Sequence, residues 1–103
     1  MNFYRSTEFI GSKAWDAQHI ASFGNTSVKL HWTDRPYKWH INDGQEVFAV
    51  MDGCVEMQYK EQGEIKSRVL NTGDIFYASE GTEHIARPQG VARVLVIEKE
   101  GSV

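Results

Sequence analysis

The spacing of the glycines restricts the fold of this chain more than any other feature. From Gly44 they recur at Gly53, Gly63, Gly73, Gly81 and Gly90, at steps of nine, ten, ten, eight and nine residues. Short apolar runs fill the intervals. Turn signals at that interval predict an all-β fold, an antiparallel sandwich or barrel, because each strand must reverse within about ten residues. Asp52-Gly53 and Gln62-Gly63 read as hairpin tips, where glycine accepts a positive φ at little cost. Asn42-Asp43-Gly44-Gln45 reads as a tight bend, and this gives Asp43 a turn role rather than a ligand role.

Nine strands are expected, at about 19–23, 27–33, 37–42, 45–51, 54–60, 64–70, 74–79, 84–88 and 92–99. In the second of these, Val28, Leu30 and Trp32 alternate with Lys29, His31 and Thr33, the pattern of a half-buried strand. Residues 14–22 also have helical spacing (Trp15, Gln18, His19, Ser22), but the Gly24-Asn25-Thr26 turn that follows favours a hairpin. The segment 45–51 is apolar on both faces: Glu46, Phe48 and Val50 share one, Val47, Ala49 and Met51 the other. A barrel this small has a single interior, so its outer faces need cover. Residues 1–26 are expected to supply part of it by packing or swapping onto a barrel of about residues 27–99. A second copy supplies the rest, which predicts a homodimer.

The chain has 103 residues, a length that suits one domain. Its net charge of -3 argues against a nucleic-acid partner, which calls for a basic face. No apolar run approaches the about 18 residues of a membrane span, the longest being Val47–Met51 and Val94–Ile97. The start, Met1-Asn2-Phe3-Tyr4-Arg5-Ser6, lacks the basic-then-apolar pattern of a secretory leader, and the single cysteine, Cys54, has no partner for an internal disulfide. The reducing cytoplasm is therefore the expected location. Cys54 reads as a small packing residue.

Four residues carry the chemistry. His40 and Asn42 stand two apart on one strand and share a face. The Asp43-Gly44 bend returns the chain so that Glu46 enters the next strand close by. His84 follows another turn glycine, and its strand brings it alongside if 84–88 neighbours 37–42. Imidazole and carboxylate donors suit iron(II), zinc, nickel, copper or manganese, and two histidines with one carboxylate leave positions open, as in the facial triad of non-haem iron. Asn42 adds an uncharged amide oxygen and ranks as an occasional ligand. His19 and His31, with no second donor beside them in sequence, read as surface or interface residues.

The run His40-Ile41-Asn42-Asp43-Gly44-Gln45-Glu46-Val47-Phe48-Ala49-Val50-Met51-Asp52-Gly53 resembles the first motif of the cupin family: two histidines flanking one residue, then a glutamate and a glycine. Gly73-Asp74-Ile75-Phe76-Tyr77-Ala78-Ser79-Glu80-Gly81-Thr82-Glu83-His84 resembles the second. Asn42 stands where the family has a second histidine, Ser79 where it has a proline, and Pro88 where it has an asparagine. The resemblance spans about residues 27–99. It implies a jelly-roll barrel (a double-stranded β-helix), metal binding by His40, Glu46 and His84 with Asn42 as an additional candidate, and commonly a dimer. Among the aromatic residues, Tyr37, Phe48, Phe76 and Tyr77 are expected at the pocket. Cupins include dioxygenases, isomerases and non-catalytic sugar binders, so three functions stay open. The first is a metal-dependent enzyme acting on a small polar molecule. The second is a binding module for a small molecule or sugar. The third is a metal-free structural or assembly subunit.

Overall fold

The computed structural model describes residues 1–102. Nine strands carry the chain: β1 (Asp16–Phe23), β2 (Thr26–Thr33), β3 (His40–Ile41), β4 (Glu46–Asp52), β5 (Cys54–Glu61), β6 (Glu64–Asn71), β7 (Ile75–Ala78), β8 (Glu83–Pro88) and β9 (Ala92–Lys99). They form a five-stranded sheet in the order β1-β2-β9-β4-β7 and a four-stranded sheet in the order β3-β8-β5-β6. All pairings are antiparallel. Neighbours distant in sequence, such as β2 beside β9, give the double-sheet arrangement of a jelly roll. Among the described residues the one helical element is a 3-10 turn at Ser6–Glu8. No helix there is long and apolar enough to cross a membrane.

Local chemistry explains the connections. Residues 16–23 are strand rather than helix because Gly24, at φ 60°, reverses the chain into β2. Gln62 and Gly63, at φ 53° and 79°, form a two-residue hairpin tip between β5 and β6. Gly53 plays a different part from the hairpin tip expected. β4 and β5 do not pair; they lie in different sheets, and Gly53 is the corner between them. A Cβ there would meet the Val91 carbonyl oxygen at 2.6 Å. The expected strand 37–42 contracts to His40–Ile41. Pro36 has no amide to donate, and Tyr37 makes a lone backbone bond to the Ala86 carbonyl at 3.1 Å.

Register decides what faces inward. Opposed residues of an antiparallel pair share a face. Phe48 and Val50 of β4 oppose Val96 and Val94 of β9, and Val55 and Met57 of β5 oppose Pro88 and Ala86 of β8. These residues make the core, with Val55, Met57 and Val94 wholly buried. In β2 the polar set faces inward: Ser27, Lys29, His31 and Thr33 oppose Glu98, Val96, Val94 and Ala92. Val28, Leu30 and Trp32 lie on the outer face. The N-terminal segment crosses that face, where the Arg93 Nε donates to the Phe9 carbonyl at 2.8 Å and Gly11 sits against the Trp32 ring. Further along the same face Ile75, Tyr77 and Met51 stay exposed.

Candidate metal centre

The β3–β8 register sets His40 opposite His84, with ring centroids 4.3 Å apart. Glu46, the first residue of β4, faces inward beside them. Asn42 is anchored by its backbone to the turn before β8, donating to the Thr82 carbonyl at 3.0 Å and accepting from the Gly81 amide at 2.9 Å. The donor atoms of His40, Glu46 and His84 lie within 4.8 Å of one another. Donors bound to one ion at about 2.0–2.2 Å sit about 3–4 Å apart, so small side-chain rotations close this group around a cation.

The hydrogen bonds prepare it. The His40 Nδ1 lies 3.1 Å from the Lys38 carbonyl, which only accepts. Nδ1 therefore carries the proton, and Nε2 keeps a lone pair for an ion. Glu46 Oε1 accepts from the Asn42 Nδ2 and lies 3.2 Å from the His84 Nε2. Burial works against the Glu46 carboxylate, yet the His84 and Asn42 hydrogen bonds and the nearby imidazoles hold it below the ordinary glutamate range. Burial, partly offset by the Lys38 carbonyl, holds His40 below the ordinary histidine range, so it is neutral at pH 7. The Asn42 Oδ1 and the His84 Nδ1 are buried without partners. A carboxylate and an amide oxygen in such surroundings are costly without a cation, and the donor set suits one.

A cavity of about 150 Å³ opens beside this group. Trp15, His31, Tyr37, His40, Glu46 and Glu98 line it. Of the four aromatics expected there, Tyr37 is present. Phe48 is instead part of the buried core, one inward position deeper than Glu46. Phe76 packs against His84, with centroids 5.4 Å apart, but lies outside the cavity lining. Tyr77 opposes Val47 on the outer face and donates its hydroxyl to Gln45. Its neighbours Phe76 and Ala78 take the inward positions, so Tyr77 does not line this cavity. Asp43 accepts from Ser102 at 2.6 Å and is not part of the triad.

Three cavity residues escaped the sequence. His31 is no surface histidine: its Nδ1 lies 3.3 Å from the Trp15 carbonyl and its ring meets Trp15 edge-on. Trp15 itself has φ 59°, unusual for a bulky side chain. Glu98 opposes Glu46 across the β4–β9 pair. Burial and that neighbouring carboxylate push it up to about 7. The polar inward set of β2 and the Val94-x-Val96-x-Glu98 alternation were the signals that could have placed His31 and Glu98.

No protein-family model matches the sequence, and no curated protein does. Solved structures do match. A cupin-2 domain containing protein from Shewanella frigidimarina superposes with a TM-score of 0.76 at 23% identity, over 87% of this chain and 85% of that one. A cupin superfamily protein from Desulfitobacterium hafniense gives 0.77 at 10% identity, over 92% and 86%. This chain has the cupin fold. A third match is hydroxypropylphosphonic acid epoxidase from S. wedmorenis, at 0.70 and 15% identity. It covers 80% of this chain, which spans about half of the epoxidase (49%). The epoxidase has been solved with iron(II) and with cobalt(II). In this chain the His40–Glu46–His84 group can hold a metal ion.

Proposed function

We propose that this small cupin binds a divalent transition metal through His40, Glu46 and His84, and acts on a small polar molecule in the adjoining cavity. The observation that carries the reading is the buried convergence of those three donors within 4.8 Å, beside two unpartnered polar atoms. Asn42 stands as a weak fourth ligand through Oδ1. Iron(II), zinc, nickel and manganese all suit two imidazoles and a carboxylate, and the iron(II) and cobalt(II) forms of the epoxidase support that range. When bound, such an ion supplies Lewis acidity or dioxygen activation. The chain's own residues orient the ligand. Lys38 fixes the His40 tautomer, Asn42 steadies the Glu46 carboxylate, and Trp15 and Tyr37 wall the cavity.

Metal analysis of untagged protein tests this. Near-stoichiometric metal is expected in the native chain. His84→Ala and Glu46→Ala each remove a ligand and are expected to weaken affinity by more than about 100-fold. Unchanged content in both variants would overturn the assignment. Oxygen uptake by iron-loaded protein with small acids and diketones then separates an enzyme from a non-catalytic binding module.

We also propose a homodimer. Ile75 (66% exposed), Tyr77 and Met51 on the outer face of the five-stranded sheet are left uncovered by the N-terminal segment, and a second copy would bury them. Light scattering at micromolar concentration is expected to give twice the mass of one chain; a monomer would refute it. The half-buried free thiol of Cys54 suits a reducing compartment such as the cytoplasm.

A further inference from the structure

The cavity holds one imidazole that the metal group does not use. His31 sits on β2, on the inward face, while His40 and His84 come from the opposite sheet. Its Nδ1 faces the Trp15 carbonyl at 3.3 Å. A carbonyl only accepts, so Nδ1 carries the ring proton and Nε2 holds the lone pair. Nε2 has no hydrogen-bond partner among the described residues, and the ring lines the cavity.

The carbonyl that fixes this tautomer belongs to Trp15, whose left-handed backbone (φ 59°) is held in place by edge contacts of its ring to His31 and Tyr37, at centroid distances of 6.0 and 5.4 Å. Strain of this kind persists only where the surroundings impose it, and it gathers at working sites.

We propose that His31 is the proton acceptor of the cavity, and that the ligand is a small planar molecule carrying an acidic hydroxyl, a phenol or an enol. The inference rests on the metal reading of the adjoining triad. Size follows from the cavity: about 150 Å³ accommodates a single ring. The aromatic lining by Trp15 and Tyr37 suits a flat one. The hydroxyl follows from His31 itself, whose Nε2 is an acceptor without a partner at the cavity wall. A neutral hydroxyl enters and donates to Nε2. The ligand O–H bond breaks, an Nε2–H bond forms, and the electron pair stays on the ligand oxygen. The charged groups facing His31 are Lys29 on its own strand, Asp16 on β1, Glu46 on β4 and Glu98 on β9, with His40 across the cavity. Burial keeps the free imidazole below the ordinary histidine range, so it is neutral and ready to accept at pH 7.

Two measurements test the assignment. Long-range nitrogen–proton NMR of the metal-free native protein at pH 7 is expected to show His31 neutral and protonated on Nδ1. An Nε2–H tautomer, or a charged ring, would overturn the proposal whatever the metal does. The second uses zinc-loaded protein and catechol, which is neutral at pH 7, with proton release read by calorimetry in buffers of different ionisation heat. His31→Gln, which keeps an amide donor for the Trp15 carbonyl, is expected to release about one more proton per probe bound than the native protein. Equal release with zinc bound in both would refute the proton-acceptor role. Failure of the zinc-loaded native protein to bind the probe would refute the ligand class. If neither protein holds zinc, the triad reading falls, and the tautomer measurement decides His31 by itself.

Discussion

Along β4 the inward side chains run Glu46, Phe48, Val50, and along the neighbouring β9 they run Glu98, Val96, Val94. The same two strands thus line a polar mouth at one end of the barrel and a dry, close-packed floor at the other. β8 and β5 repeat the gradient, with His84 opposite Tyr59 near the mouth and Pro88 opposite Val55 at the floor. Alternation chooses which residues enter the interior; depth along the strand chooses what they do there. The floor binds the sheets together, and the mouth is free to hold groups that would unfold a smaller core.

The largest expected effect lies at the floor. Met57→Ala should cost about 2–5 kcal/mol in urea unfolding, because a wholly buried side chain leaves a cavity its neighbours cannot fill. Metal content per folded molecule should stay unchanged; if it fell in step with stability, the two ends would not be separable. Next comes acidification. His40 binds protons less readily than an ordinary histidine, so an ion at the mouth should be held at pH 7 and lost in acid as that imidazole charges. Metal retained at pH 4, measured after gel filtration, would argue against histidine ligation.

Glu98 offers a smaller and opposite handle. Its folded value of about 7 lies above the ordinary 4.5. Between those values the folded chain keeps a proton the unfolded chain has released, so this group's contribution to stability is present at low pH and is lost as pH rises through the window. After allowance for solvent screening the effect is about 1 kcal/mol. Metal-free Glu98→Gln should therefore unfold at a higher temperature than the native protein at pH 8 and match it near pH 5. Identical melting at both pH values would contradict the burial of this carboxyl. The smallest change is expected for Asn42→Ala, a few-fold loss of metal affinity by competition with a chelator. A loss as large as that of His84→Ala would promote Asn42 to a full ligand.

The sequence made the mouth partly legible. His40, Glu46 and His84 could be grouped because a two-residue period and two turn glycines are local rules. Tyr77 was misplaced for want of one residue of phase: once Phe76 opposes Phe48, Tyr77 must point outward. His31 was hidden by a reasonable assumption, that the apolar set Val28, Leu30 and Trp32 marks the inner face. In this barrel both faces of β2 are covered, the outer one partly by the N-terminal segment, so hydrophobicity no longer reports direction. Gly53 shows the same limit for turns. A glycine signals that the chain bends, but whether the flanking strands pair or part into different sheets is settled by partners far away in sequence.

Trp15 leads to a last consequence. It shapes the chamber from the segment just ahead of β1, outside the three strands that carry His40, Glu46 and His84. Its exchange for a smaller residue, glycine above all, would relax a contorted backbone while enlarging the chamber. A lineage could thus retune what it admits without disturbing how it grips an ion.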